Sequence, residues 1–467
     1  MVVQLRKMKW RLLGNRYYIN VKKTLIIMYR KKVKKMTKIR ILQLSDIHNV
    51  ACPRAMDDFK TMRSGLLKDI KDYCKYYNCR FDAVLICGDI AFSGKNEEYE
   101  KSKTFVDEIC KNVGCKLCQV FVVPGNHDKL RNEGKPSLRK FLNWGFTHLD
   151  NREDMFKVLM EEEPDMLCNL YLPFRYYLDF CKSFDNIEPI MQKCINDSDD
   201  ESFHIDYDAD EMYWKSDLAQ DFHGYQVNLV GLNSALSCDE NDWSPDWKPE
   251  GHKMYLSVFA HNNLDLPNNK SINILMMHHP MSYIIKGTEL QRKFDELFAI
   301  QFYGHVHVAD SSQAKTGGAV RVFSGAMQPP VGANEEEKKK YIPIYNIVEL
   351  DMSDGDEKQL RVNLIVNKWN INNFVRDEEH CKEYFVDLPK AENRWKHENK
   401  TPVLPDGISI REIRCLYSDH MNHKKIINMM YDNLYDSSQN DYCNDRKFIA
   451  KVYADNKWVE LWHLLNS

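Results

Sequence analysis

From Lys38 onward the apolar and polar positions switch between two periods. Ile39 to Leu44 is a short β-branched run that stops at Ser45-Asp46-Ile47-His48, and Phe81 to Cys87 is a second that stops at Gly88-Asp89. Phe59–Tyr76 between them, and Glu97–Val113 after the second, carry apolar residues at helical spacing. Val120-Phe121-Val122-Val123 is a third strand, ended by Pro124-Gly125 and followed at once by Asn126-His127-Asp128. Strand, helix, strand, helix, strand predicts an α/β fold with a largely parallel sheet covered by helices. A core strand that stops on several polar side chains is a common way to build a site at the end of such a sheet.

Residues 130–220 break this rhythm. They are rich in Trp, Phe, Tyr and Leu at helical spacings, with acidic patches at Asp197–Glu201 and Asp206–Glu211. The pattern predicts a helical insertion, either a lid over the site or packing decoration. Strands are expected again at Gln226–Leu232, Ile272–Met277, Phe298–Tyr303, Val320–Phe323, Ile344–Leu350 and Leu360–Val366, which implies a second sheet. The domain so formed spans residues 38–370, and a charged connector follows over residues 371–402.

Residues 403–467 read as a small helical bundle. Ser409-Ile410-Arg411-Glu412 is a capping box that opens one helix, Ile426, Ile427, Met430 and Leu434 mark a second, and Asp445 precedes a third with Phe448, Ile449 and Val452. Trp458, Leu461, Trp462 and Leu465 supply the stripe of a fourth.

A chain of 467 residues exceeds one typical core, so two or three domains are expected. A net charge of −3 gives no general pull toward nucleic acid or membrane. Residues 1–37 are a basic extension, with twelve Lys or Arg and no acidic residue before Met36. Such a tail can bind nucleic acid or an anionic membrane surface; it also reads as a disordered extension, or as sequence ahead of a true start at Met36. Its longest apolar run, Leu25 to Met28, is too short to span a bilayer. The chain carries fourteen cysteines but no secretory signal pattern, so reduced thiols in the cytoplasm are expected. Cys115 and Cys118 form a lone CxxC, which Cys74 and Cys79 could join in a zinc site of poor spacing.

Five strand ends carry metal-type ligands: Asp46 with His48; Asp89; Asn126 with His127 and Asp128; His278 with His279; and His305 with His307. A lone histidine is usually a satisfied core residue, but five such groups each closing an apolar strand point to a metal site. Oxygen and imidazole donors without thiolate suit Mn, Fe or Zn in a catalytic rather than a structural role.

Asp-x-His, Gly-Asp, Gly-Asn-His-Asp, His-His-Pro and Gly-His-x-His, in this order, resemble the calcineurin-like metallophosphoesterases over roughly residues 38–350. Gly88 to Gly94 and Glu97 to Tyr99 look most like the bacterial phosphodiesterase branch, whereas the long insertion departs from it. The resemblance implies a four-layer α-β-β-α sandwich and two divalent metals, manganese first, with iron or zinc as alternatives. It implies one metal held by Asp46, His48, Asp89 and His307, and a second held by Asp89, Asn126, His278 and His305, with Asp89 as the bridge. It further implies in-line hydrolysis of a phosphodiester by a shared metal-bridging hydroxide. His127 would act on the leaving oxygen with Asp128 orienting its imidazole, and His279 would support the ligands from behind. The alternatives are a phosphomonoesterase or phosphoprotein phosphatase, or a non-catalytic scaffold of the same fold; scaffolds of this kind lose ligands, and here every position is filled. The C-terminal bundle resembles the death-like, effector-associated adaptor domains of bacterial conflict systems, which implies a protein partner; the other reading is a helical cap on the enzyme domain.

Overall fold

A computed structural model describes residues 36–50, 60–130, 133, 136–149, 152, 155, 170–181, 192–194, 204–206, 213–238, 253–256, 271–328, 342–353 and 356–388, and within the last sixty residues 413, 416–417, 422–431, 434–435, 437, 448, 452 and 457–466. In chain order the elements begin with β1 (Ile39–Leu44), α1 (Lys60–Tyr76), β2 (Ala83–Cys87), α2 (Asn96–Val113) and β3 (Val120–Val123). The next are α3 (Pro136–His148), α4 (Arg175–Cys181), β4 (Gln192–Cys194), β5 (His204–Asp206), β6 (Tyr213–Phe222), β7 (Tyr225–Leu232) and β8 (Ser271–Met277). There follow α5 (Gly287–Leu297), β9 (Ile300–Tyr303), β10 (Asp310–Gln313), β11 (Val320–Phe323), β12 (Ile344–Ser353), β13 (Asp356–Asn370), β14 (Asn373–Arg376) and β15 (Lys382–Asp387). Two helices near the end are α6 (His423–Met430) and α7 (Trp458–Leu465).

Two sheets form the centre. The first runs β14-β13-β12-β1-β2-β3, with β15 also on β13, and the second runs β10-β11-β9-β8-β7-β6. β1, β2 and β3 are mutually parallel, as are β7, β8, β9 and β11, so several carboxyl ends emerge together. β2 and β3 are buried at every residue, which explains why they read as continuous apolar runs rather than alternating ones. The sheets meet face to face. Gln43 Nε2 donates to the Tyr303 carbonyl at 3.3 Å, and Trp214 Nε1 donates to the Val122 carbonyl at 3.0 Å. On the outer side of the first sheet, α1 lays Gly65 against the Trp369 ring, where a larger residue would not fit. α5 covers the second sheet, its Asp295 paired with Arg321 and bonded to Gln301. This is the expected α/β sandwich of four layers.

Two expected boundaries differ. The stretch expected to be a helical insertion holds α3 and α4, but also β4 and β5, and its last eight residues, 213–220, belong to β6, an edge strand of the second sheet. The β6–β7 register shifts at Asp217/Ala219 and again at Ala219/Phe222. Such bulges break the two-residue period that would have marked a strand. α4 packs on α2, with Phe180 and Tyr177 rings 5.4 and 6.5 Å from Tyr99. The acidic patches fall almost wholly outside the described residues.

The connector expected from residue 371 begins instead with β14 and β15, which extend the first sheet along β13. β15 is mostly exposed, with only Val386 buried, so it lacks the apolar pattern that announces a core strand. It also ties the two sheets, since Tyr384 Oη donates to Ser311 Oγ at 2.8 Å. Near the end, Ile413, Tyr417, Ile426, Ile427, Met430, Phe448, Val452 and Leu461 form a hydrophobic cluster of their own. The predicted capping box at Ser409–Glu412 lies outside the described residues.

Candidate metal centre

Each predicted ligand sits just past the carboxyl end of a parallel strand: Asp46 and His48 after β1, Asp89 after β2, Asn126 after β3, His278 after β8, and His305 and His307 after β9. The chain turns abruptly at these points. Among the described residues nine non-glycine residues have positive φ, and five of them are Asp46 (53°), His48 (48°), Asp89 (53°), His305 (70°) and His307 (57°). A left-handed conformation costs an ordinary residue about 1–3 kcal/mol and persists where the surroundings dictate it, most often at functional sites. Here backbone bonds impose it: Asp46 N–H donates to the Gly88 carbonyl at 3.0 Å, and His48 N–H to the Asp89 carbonyl at 2.9 Å. At Gly125 a side chain would collide with the Asp89 carboxylate, so the turn after β3 must be glycine to let that carboxylate in.

The side chains converge from both sheets. His307 Nε2 lies 3.0 Å from Asp46 Oδ1, and His48 Nε2 lies 3.8 Å from the same atom and 3.9 Å from Asp89 Oδ2. His278 Nε2 lies 3.3 Å from Asp89 Oδ2 and 3.2 Å from Asn126 Oδ1, with the His305 ring 5.2 Å from its own. Asp89 thus stands between two groups, one with Asp46, His48 and His307, the other with Asn126, His278 and His305. His278 Nδ1 is bonded to the Cys87 carbonyl at 2.7 Å, which commits its Nε2 to the site.

The chemistry of this donor set fits two divalent cations. Asp46 and Asp89 are almost wholly buried, and two adjacent buried carboxylates need positive charge nearby. Burial works to protonate them, but the imidazoles of His307 and His278 outweigh it and hold both carboxyls below the usual range. Burial keeps His48 neutral and, with His278, holds His305 near 3, leaving lone pairs for a metal. His278 is the exception: burial is overcome by Asp89, which draws it up to about 9, so a proton stands where a cation would bind.

His279 Nδ1 sits 2.9 Å from Ser234 Oγ and its Nε2 is 3.8 Å from Cys238 Sγ, so both ring nitrogens are engaged behind the centre. His127 reaches the centre, its ring 4.4 Å from that of His48. The orienting role expected of Asp128 is corrected by the structure. His127 Nδ1 is held by the Phe92 carbonyl at 2.8 Å. The Asp128 carboxylate instead accepts from Ala91 N–H (2.9 Å), Ile90 N–H (3.1 Å), Gly125 N–H (2.9 Å) and Tyr99 Oη (2.9 Å). It fastens the turn after β2 to the turn after β3. Burial and the charge of Asp89 push this carboxyl up to about 7, against the pull of those donors.

Four further participants were not foreseen. Phe92 acts through its carbonyl, which no side-chain pattern reveals. Ser234 and Cys238 lie in a loop without motif character. Lys129 is buried and donates to the carbonyls of Leu236 (3.0 Å) and Cys238 (2.6 Å), tying the turn after β3 to that loop; its place directly after Asp128 was the available signal.

The sequence profile of the calcineurin-like phosphoesterases matches residues 39–309. The chain belongs to this family. Its members are metal-dependent phosphoesterases built on a dinuclear divalent centre. An uncharacterized metallophosphoesterase-like protein, YydB of Bacillus subtilis, is 25% identical over 279 residues, covering 59% of this chain and 50% of YydB. The chain therefore spans about half the length of that relative. Among solved structures, the purple acid phosphatase PPD1 of yellow lupin aligns with 76% of this chain and 54% of its own, at 10% identity and a TM-score of 0.37. The calcineurin-like phosphoesterase YfkN of Bacillus subtilis aligns with 75% of this chain and 91% of its own, at 13% identity and a TM-score of 0.28.

Proposed function

We propose that this phosphoesterase hydrolyses a phosphodiester bond in a nucleotide, cyclic nucleotide or nucleic acid, using two manganese ions. The observation that carries the reading is the setting of His127. Its Nδ1 is bonded to the Phe92 carbonyl, so Nδ1 carries the hydrogen and Nε2 is the nitrogen that meets substrate. As an imidazolium, His127 donates from Nε2 to the leaving oxygen as the ester bond breaks. The Phe92 ring stands 5.4 Å from the His127 ring and 6.3 Å from that of His48, an aromatic face beside the leaving group. Such a face favours an ester whose second substituent is itself a ring, as in a nucleoside, over a bare phosphate.

Asp46, His48, Asp89 and His307 would hold one cation, and Asp89, Asn126, His278 and His305 the other. Bound there, the pair supplies positive charge to the phosphoryl oxygens and acidifies water for in-line attack. The chain's own share is to keep Asp89 ionised between the two groups, to aim His278 through the Cys87 carbonyl, and to hold His127 over the leaving side. Oxygen and imidazole donors support manganese, with iron or zinc as the alternatives.

The test compares bis-p-nitrophenyl phosphate with p-nitrophenyl phosphate under added Mn²⁺. Higher kcat/KM on the diester is expected; a clear preference for the monoester would replace this reading with a phosphomonoesterase or phosphoprotein phosphatase.

The helices after residue 403 recruit a protein partner in this proposal, as part of a bacterial conflict or defence system. Their separate hydrophobic cluster supports an autonomous module. Among the described residues no helix is long and apolar enough to cross a membrane. Free thiols at nine described cysteines support a reducing, cytoplasmic setting.

A further inference from the structure

The cysteines singled out in the sequence do not assemble as a zinc site. Among the described residues, none of the groups of three ligand-type side chains within metal-binding reach includes a cysteine. Cys115 Sγ turns instead to the Phe81 carbonyl at 3.3 Å. Cys74 and Cys79, however, are brought together by the backbone at the end of α1.

That helix ends on Asn78, which takes the left-handed conformation at φ 47°. Cys79 N–H donates to the Cys74 carbonyl at 2.9 Å and Asn78 N–H to the Lys75 carbonyl at 3.4 Å. These two bonds define a Schellman cap, in which the side chains three residues before the end and two after it face each other. Ordinarily that contact is apolar. Here both positions are cysteine, and each thiol shifts the titration of the other, while Cys74 Sγ also faces the Val113 carbonyl at 4.0 Å. The backbone bond bounds the geometry. A carbonyl oxygen lies about 2.4 Å from its own Cα and an amide nitrogen about 1.5 Å from its own. Added to the 2.9 Å bond, these place the two Cα atoms no more than about 6.8 Å apart, inside the range a disulfide needs. Both residues are partly exposed.

We propose that Cys74 and Cys79 are a reversible dithiol–disulfide pair, a redox modification site whose oxidant is a small disulfide of the glutathione class. Burial raises the Cys79 thiol, but the Arg40 guanidinium opposes it, whereas burial and the neighbouring Cys79 push Cys74 up to about 11. Cys79 is therefore the first to attack. Its thiolate bonds to one sulfur of the small disulfide and expels the other half as a thiolate, which takes up a proton. The Cys74 thiol, giving up its proton to solvent, then attacks the Cys79 sulfur and expels the second half. Two electrons and two protons leave the protein, and one disulfide becomes two thiols. The product bond fastens the last turn of α1 to the segment entering β2. Tyr73 on that turn already donates to Glu349 at 3.2 Å, and Arg40 donates to Glu349 at 2.9 Å, so the bond closes a corner where helix meets sheet. This corner lies at the entry to β2, whereas the metal ligands follow the exits of β1 and β2, so diester turnover should not change.

The experiment equilibrates the full-length protein in buffers running from reduced glutathione to glutathione disulfide. Samples are quenched in acid, alkylated, digested and read by mass spectrometry. The expected result is that Cys74 and Cys79 lose access to alkylation together, as one linkage lighter by two hydrogens, which dithiothreitol reverses. The oxidised protein should also melt at a higher temperature. In Cys74→Ser, Cys79 should retain glutathione, because the second attack has no nucleophile. The proposal fails if both thiols stay alkylatable in every buffer, if Cys79 closes on Cys115 or Cys118, or if wild-type Cys79 keeps its glutathione.

Discussion

Asp128→Asn separates two roles for one carboxylate. In the structure Oδ1 accepts from Ala91 N–H, Ile90 N–H and Tyr99 Oη, and Oδ2 accepts from Gly125 N–H. An asparagine can place its single oxygen where Oδ1 stood and keep three of these donors. Its amide then faces the Gly125 N–H, donor against donor, in a fully buried site. Leaving that N–H unsatisfied costs ~1–3 kcal/mol. The three retained bonds lose their ionic partner and weaken by ~0.5 kcal/mol each, since charge-assisted bonds are about twice as strong as neutral ones. Removing the buried charge and its repulsion from Asp89, which together lift the carboxyl to about 7, offsets part of this loss. The expected net loss is therefore below the ~2.5–4.5 kcal/mol that the lost and weakened bonds alone would cost. Urea denaturation followed by tryptophan fluorescence should show an earlier midpoint. A chain of this size can unfold in more than one step, so the comparison is of midpoints under identical conditions. Activity should fall as well, because the turns bearing Asp89 and His127 loosen. A variant as stable as the wild type but slower by ~10²–10⁴, the scale of lost acid–base support, would refute this account and restore Asp128 as the partner of His127.

Asp89→Asn should leave the fold intact while sharply lowering bound metal and activity, because the bridging charge is lost; two full equivalents by metal analysis would overturn the two-metal assignment. His127→Ala should retain both metals and lose a factor of about 10²–10⁴ in kcat; a stripped metal would make His127 a ligand. Deleting residues 403–467 should leave turnover of bis-p-nitrophenyl phosphate unchanged while abolishing partner capture, and precipitation or metal loss in the truncated protein would mark the helices as a structural cap.

What could be read from the sequence alone was local. The strands β1, β2, β3, β8, β9 and β11 announce themselves by apolar runs, and a turn residue or polar ligand follows most of them directly. Their carboxyl ends then place Asp46, His48, Asp89, Asn126, His278, His305 and His307 with no knowledge of the packing, because parallel strands in one sheet bring like ends together. Patterns disturbed by their surroundings were not legible. β6 shifts register twice against its partner β7, and β15 is a mostly exposed strand held by pairing with β13. Neither carries the period that marks a core strand. The hydrogen bonds of the centre likewise belong to the tertiary structure. Asp128 is next to His127 in the chain, yet its carboxylate reaches back to Ile90, Ala91 and Tyr99, while the His127 ring takes the carbonyl of Phe92. Adjacency along a tight turn sends neighbouring side chains in different directions. Which partner each one meets is decided by the segment that folds against it.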